Sequence, residues 1–305
     1  MPWRVRSTVA LPAPFFHAWG LANLIIALSL SCTVVARPVF DAAGVLTDME
    51  DHQADLLVAV PVMLQRLVGL PPATWVEHGS SLRLRGVLSS GSALPSPVVR
   101  GIQDRLGAVM YNVYGSTEVA VSTIAGPRDL LREPLTAGRP APGVRVEVLG
   151  AQGQRLTRGE RGQVFVGSGM TFGGYTSGET RDTVRGMVAT GDLGHWDSYG
   201  CLHIDGRADD MIVSGGENVY PVEIEELLAS HPDVVEAVVA GRPDPDFGQS
   251  LVAWVVVSDG GSLTSDQLRE HVRGLLASYK VPQRVELLDA LPRNAAGKVL
   301  RRELQ

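Results

Sequence analysis

Short unbroken apolar runs, separated by segments with helical spacing, dominate the first part of the chain. Leu56-Leu57-Val58-Ala59-Val60 stops at Pro61. A run too short for a helix and closed by proline predicts a strand buried on both faces. Positions 62–67 then space their apolar side chains as a helix does, and 84–88 repeat the strand pattern. Residues 96–106 predict another helix, leading into a strand at 109–113 that delivers Tyr114 at its C-terminal end. This alternation specifies an α/β layer with a parallel sheet. Ligands of such sheets gather beyond the carboxyl ends of the strands, where Ser90 to Ser92 and Tyr114 to Glu118 fall.

From 143 to 169 the pattern shortens to strict alternation with glycine turns, as in Val144-Arg145-Val146-Glu147-Val148, and predicts a small β subdomain. Beyond Asp209 helices and strands mix again. Pro221 opens a helix, strands are expected at 234–240 and 251–257, and Thr264 or Ser265 caps a helix reaching about Ser278, ended by Lys280 to Pro282. The expected division is 1–208 and 209–305, a large α/β unit followed by a small mobile α+β unit. With 305 residues, 45% hydrophobic and 20% charged, the chain can bury a core of that extent. No internal repeat or low-complexity segment appears.

Charge and cysteines narrow the chemistry. A net charge of -6 argues against a general nucleic-acid binder, which needs a basic face. Cys32 and Cys201 lie far apart without His or Cys at ligand spacing, which suggests neither zinc nor a disulfide framework and makes a reducing cytoplasm the expected location. Residues 7–36 carry no charge and follow Arg4 and Arg6, a composition shared by signal peptides and single spans. Pro12, Pro14, His17 and Asn23 interrupt the apolar run, whose strictly apolar part is short for a span. No stable membrane insertion is expected.

The most telling stretch is 206–225, G-R-A-D-D-M-I-V-S-G-G-E-N-V-Y-P-V-E-I-E. Arg207 with Asp209 and Asp210 suits a charged turn. Gly215 and Gly216 admit a close backbone or a thin ligand. Glu223, Glu225 and Glu226 follow Pro221, where the helix N-terminus favours acids. This string resembles the hinge and following loop of the adenylate-forming acyl-CoA synthetase superfamily. Further segments resemble that family in its order: Pro14-Phe15-Phe16-His17-Ala18-Trp19-Gly20, Ser90-Gly91-Ser92-Ala93-Leu94, Tyr114-Gly115-Ser116-Thr117-Glu118, Thr190-Gly191-Asp192, and Pro292-Arg293-Asn294-Ala295-Ala296-Gly297-Lys298. Each string is weak alone, but their shared order is strong.

The resemblance implies an AMP-forming ligase that joins a fatty acid to ATP as an acyl adenylate and then to coenzyme A. The adenosine side is implied for Gly91, Ser92, Ala93, Tyr114, Gly115 and Ser116, with Asp192 and Arg207 on the ribose. Thr117 is implied at the α phosphate, Glu118 at magnesium, Lys298 at the attacking carboxylate, and His17 beside the acyl and pantetheine channels. Asp209 is implied as the pivot that replaces Lys298 by the Gly215–Gly216 face. In the family a buried helix follows the histidine motif. A Ser/Thr/Gly-rich phosphate loop normally lies upstream of that motif, and no segment here replaces it, so impaired adenylation is expected of these 305 residues. The alternatives are a noncatalytic remnant that keeps adenylate or acyl binding, and acyl transfer to a carrier protein. The F-F-H-A-W-G string and Val60-Pro61-Val62-Met63-Leu64 look more like fatty-acid enzymes than acetate or aryl ones.

Overall fold

A computed structural model describes residues 1–79, 81–258, 263–295 and 297–304. The chain opens with β1 (Thr8–Ala10), α1 (Ala18–Ser29), β2 (Thr33–Val35), α2 (Ala42–Asp51), β3 (Leu56–Ala59) and α3 (Pro61–Val68). The single turn α4 (Pro72–Thr74), β4 (Gly86–Ser89), α5 (Ser96–Leu106) and β5 (Met110–Ser116) complete a parallel layer in the order β2-β1-β3-β4-β5. Strands β3 and β4 are buried at every residue, as unbroken apolar runs require. On one face Leu46, Met49, Leu64, Leu67 and Ile102 pack over Leu57 and Val87. On the other, Trp19 and Leu24 of α1 pack over Val9, Leu56 and Val58.

Two expectations change here. Strand β5 does not end before Tyr114 but runs through it to Ser116, because its second half pairs antiparallel with β6 (Ala120–Ala125). Helix α1 is not buried all round. Leu21, Ile25 and Leu28 on its outer side are exposed, and only Gly20, Asn23 and Ala27 are fully buried. No helix among the described residues is long and apolar enough to cross a membrane.

After α6 (Pro127–Arg132) and β7 (Thr136–Pro140), the strands β8 (Arg145–Leu149), β9 (Gly162–Gly167), β10 (Thr183–Val184), β11 (Met187–Trp196) and β12 (Leu202–Arg207) continue the same sheet. Its order runs β5-β6-β7-β12-β11-β9-β8, with β10 on β11. The expected β subdomain is therefore joined edge to edge with the parallel layer, and the β7–β12 pair is the seam.

A second sheet holds β13 (Ile212–Ser214), β14 (Glu217–Val219), β15 (Val234–Asp244), β16 (Gly248–Val257) and β17 (Arg284–Leu287), in the order β14-β13-β16-β15 with β17 on β16. Helices α7 (Pro221–Ala229) and α8 (Ser265–Leu275) cover it, burying Ile224, Leu228, Leu268 and Val272 against Val239 and Ala253. Thr264 caps α8: its hydroxyl accepts from the Gln267 N–H at 3.3 Å while the Gln267 side chain accepts from the Thr264 N–H at 2.9 Å. The helix stops at Leu275, short of Ser278, and 278–280 form a tighter turn of their own.

The acids of α7 are held by partners more than by the helix terminus. Glu223 pairs with Lys280 at 2.7 Å, and Glu225 accepts from the Val239 N–H and pairs with Arg301, both at 2.7 Å. Glu226 accepts from the Ser96 N–H of α5 at 3.4 Å. Burial pushes Glu225 upward and Glu226 up to about 7, so desolvation outweighs the pull of the helix N-terminus.

Candidate functional site

Strands β11 and β12 pair Asp192 directly opposite Arg207. The turn into Asp192 passes through Gly191 at φ +81°, a conformation that excludes most side chains. The Thr190 hydroxyl donates to the Val164 carbonyl at 3.0 Å and accepts from the Asp192 N–H at 3.1 Å, fixing the carboxylate's base. Strand β5 then brings Tyr114 across the sheet, and its phenol donates to Asp192 Oδ2 at 2.5 Å. Arg207 Nη1 donates to Asp192 Oδ1 at 3.3 Å, and its Nε donates to Asp209 Oδ1 at 3.1 Å. Burial and the adjoining carboxylate push the Tyr114 phenol well above its ordinary range, so it remains a proton donor.

The β5–β6 hairpin presents Ser116, Thr117 and Glu118. Its tightness depends on Gly115: a Cβ there would stand 1.9 Å from the Ala120 carbonyl oxygen, and Ala120 itself sits at φ +55°. Ser116 and Thr117 are exposed. Glu118 accepts from the Tyr175 phenol at 2.8 Å and lies 3.8 Å from Arg181 Nη2. Burial opposes its charge, but bonds from Ser116, Tyr175 and its own backbone, with the Arg181 charge, bring its pKa below the usual carboxylate value. Arg181 also joins this group to the first. A Cβ on Gly191 would stand 3.0 Å from Arg207 Nη2 and 3.1 Å from Arg181 Nη1.

A third group converges on the ends of β3 and β4. Gly91 turns at φ +101°, and a Cβ there would lie 3.8 Å from Val60. Ser92 and Ala93 are exposed beside it. A Cβ on Gly297 would press Val62 at 2.7 Å and reach Val60 at 4.0 Å. The turn carrying Lys298 therefore leans on the segment that touches the Gly91 loop. Lys298 is exposed at the tip of that turn, its N–H donating to Asn294 Oδ1 at 3.0 Å. Ala296 lies outside the described residues. His17 precedes α1, exposed and 4.9 Å from the Phe16 ring. Trp19 donates to the Ala59 carbonyl at 3.0 Å, and Gly20 leaves no room for a Cβ beside the Pro14 carbonyl. Both pack the fold at the end of β3.

Gly215 and Gly216 stand apart from these groups. They turn the β13–β14 hairpin at φ +59° and +86°. Gly215 borders a cavity of about 480 Å³ whose lining includes Phe247, Arg269, Arg273 and Tyr279.

Three partners in the site were not foreseen. Tyr175 and Arg181 steady Glu118 from 168–186, a glycine-bearing segment in which the aromatics Phe172 and Tyr175 and the arginines Arg181 and Arg185 were the available signal. Arg293 donates to the Gly297 carbonyl at 2.5 Å and pairs with Glu236, bracing the Lys298 turn. Among the described residues no group of three or more His, Cys, Asp or Glu could hold a metal. A single ionised, half-buried carboxylate such as Glu118 suits magnesium only if phosphate oxygens and water supply the rest. Both cysteines are free thiols.

Residues 2–176 match the family described as AMP-binding enzyme, and 223–298 match the AMP-binding enzyme C-terminal domain. The chain is 36% identical over 291 residues to the indoleacetate–CoA ligase of Aromatoleum aromaticum, covering 94% of this chain and 56% of that protein. It is 33% identical over 313 residues to the fatty acid–[acyl-carrier-protein] ligase ScoC of Streptomyces coeruleorubidus, covering 99% of this chain and 59% of that one. The solved amide bond synthetase McbA of Marinactinospora thermotolerans is similar throughout this chain and over 62% of its own, with 34% identity and a TM-score of 0.89. The chain thus spans 56–62% of the length of these relatives.

Proposed function

Since the chain belongs to the AMP-binding enzyme family, we propose that it serves an acid–thiol ligase, converting an apolar carboxylic acid, fatty acids foremost, to its coenzyme A thioester. The observation that carries this reading is the convergence of the Tyr114 phenol and the Arg207 guanidinium on Asp192. In water such a carboxylate would be solvated. Here it is oriented, partly buried and ready to exchange Tyr114 and Arg207 contacts for two vicinal hydroxyls of a ribose.

In the first half-reaction the acid's carboxylate oxygen attacks the α phosphorus of ATP, the new P–O bond replaces the bond to pyrophosphate, and acyl adenylate remains. Tyr114 offers an aromatic face to adenine, the open backbone at Gly91, with Ser92 and Ala93, borders the purine, and Gly115 and Ser116 continue that wall. Thr117 donates its hydroxyl to the α phosphate. Glu118 would hold magnesium, which would supply charge neutralisation at the phosphates. Lys298 bridges the incoming carboxylate and the growing phosphate charge from its turn against Val62. In the second half-reaction a thiolate attacks the acyl carbon and AMP departs. We assign 1–208 and 209–305 as two units that swivel at Asp209, which exchanges Lys298 for Gly215 and Gly216. The guanidinium and aromatic lining of the cavity beside Gly215 suits the nucleotide end of coenzyme A. His17, exposed next to Phe16, borders the acyl path. The composition and chemistry fit a cytoplasmic protein.

The acceptor in ScoC's name is a carrier protein, whose phosphopantetheine thiol would enter by the same face. The test measures pyrophosphate release over fatty and arylacetic acids, and thioester formation from premade acyl adenylate with coenzyme A or carrier protein. Both assays are run on these 305 residues and on any longer product of the same reading frame. Lys298→Ala should lower pyrophosphate release about 10²-fold while leaving thioester formation within about threefold. Equal loss in both assays, or no thioester from any adenylate, would refute the assignment.

A further inference from the structure

Arg161 leaves a turn that is tied down at several points. The Thr157 N–H and hydroxyl donate to the Glu160 carboxylate at 2.6 and 2.9 Å, and the Gly159 N–H donates to the Trp196 carbonyl at 2.9 Å. From this fixed base Arg161 Nε comes within 3.5 Å of Asp205 Oδ2, an oxygen that is itself 3.0 Å from His195 Nδ1. His195 stacks on His203 at 5.0 Å, and His203 lies 3.4 Å from Asp197, so Asp205 is the end of a packed row on the β11–β12 hairpin. The same guanidinium lies 5.2 Å from the centre of the Tyr220 ring.

Asp205 lies in β12 of the twelve-stranded sheet and Arg161 immediately precedes its strand β9, whereas Tyr220 lies beyond Asp209 and caps α7 over the five-stranded sheet. We propose that Arg161 is a positioning residue that latches the small C-terminal unit in the arrangement seen here, with Asp205 as its fixed anchor and the Tyr220 ring as the face it releases. Any swivel at Asp209 leaves Asp205 in place and carries Tyr220 off the guanidinium. Two other contacts across the same boundary differ in kind. Gln65 donates to the Val235 carbonyl at 2.6 Å, and Ser96 donates its N–H to Glu226 at 3.4 Å. Both use a backbone group, whereas Arg161 and Tyr220, like Arg207 and Asp209 at the pivot itself, meet through side chains alone and can be tuned without altering either backbone.

A half-exposed guanidinium over an aromatic ring is a modest contact. It should shift the balance between two arrangements about two- to fivefold, or about 0.4–1 kcal/mol at 1.4 kcal/mol per tenfold. That is enough to tilt an equilibrium without trapping it. The inference rests on the swivel proposed above, and its test separates the two. Nitroxide labels at Leu131→Cys and Leu275→Cys, both exposed positions, in a Cys32→Ser background report the separation of the units by pulsed electron resonance. Arg161→Ala and Tyr220→Leu should each reduce the population with the present separation about two- to fivefold, and the double variant should go no further. Tyr220→Phe, which keeps the ring, should match the parent. If the parent's distances shift on adding AMP while Arg161→Ala and Tyr220→Leu leave them unchanged, the latch is wrong and the swivel stands. If the parent holds one distance with or without AMP, the swivel fails and the latch with it.

Discussion

Asp192 lies 2.5 Å from one donor and 3.3 Å from another, and its role turns on whether a ribose can take their place. Asp192→Asn converts half of its accepting capacity to a donor that faces Tyr114 and Arg207. AMP affinity, measured by titration calorimetry, should fall about tenfold or more, since a lost charged hydrogen bond is worth about 1.5–3 kcal/mol. Tyr114→Phe should cost AMP binding little because the ring remains, whereas Tyr114→Ala should cost as much as Asp192→Asn; equal losses in both Tyr114 variants would place the contribution in the phenol. Gly115→Ala attacks the same region through the backbone. Its Cβ has nowhere to go beside the Ala120 carbonyl, so thermal unfolding should show destabilisation of about 1–3 kcal/mol. At this scale the meeting of Tyr114, Asp192 and Arg207 was legible because each sits in a short ordered string, whereas Lys298 lies on a separate turn against Val62. Tyr175, Arg181 and Arg293 were not. Their contacts join positions distant in sequence through hairpins and loops whose paths no local pattern specifies.

Elements were legible where one local force decided them. Helix α5 begins and ends where its spacing predicted, and β3 differs from its apolar run only at Val60. The course of β5 past Tyr114 was hidden, because a strand's length depends on the partner it finds and β6 is a mixed-polarity segment without a strong period. Cap chemistry was legible too. Thr264→Ala removes the side-chain half of the α8 capping box and should lower stability by about 1 kcal/mol, read from the urea midpoint. Of the acids expected in the first turn of α7 only Glu223 lies there, and burial rather than the helix terminus decides the state of Glu225 and Glu226. That override has a pH signature. With the Glu226 carboxyl raised from 4.5 to about 7 when docked at Ser96, docking is favoured with the proton on. As pH rises from about 4.5, the free side chain loses its proton first, and docking weakens until pH passes about 7. The fraction of the docked distance in the spin-label measurement should fall across that interval, and Glu226→Gln should flatten the fall. An unchanged slope in Glu226→Gln would assign the pH response to another group.

For the whole molecule, the proposed swivel depends on how the chain passes from one sheet to the other. The chain crosses between them at 208–211, where only a turn intervenes between β12 and β13. Contacts flank that turn on both sides, Arg207 with Asp209 at 3.1 Å and Asp210 with Arg301 at 3.8 Å. Such side-chain pairs near a surface are weak and can re-form after a rotation, whereas a change in backbone φ at one residue can redirect the whole C-terminal unit. Asp209→Pro fixes φ near the value proline allows and removes that freedom without touching either core. It also removes the Arg207 partner, so Asp209→Ala is the control. In the swivel reading Asp209→Ala keeps both half-reactions within about threefold of the parent, because an exposed ion pair contributes little. Asp209→Pro retains pyrophosphate release yet loses thioester formation from supplied acyl adenylate by about 10²-fold or more, the scale expected when a reacting group cannot reach its geometry. Thioester formation by Asp209→Pro at the parental rate would mean that the thiol reaches the adenylate with the two sheets as they stand, and that Gly215 borders its cavity for a different reason.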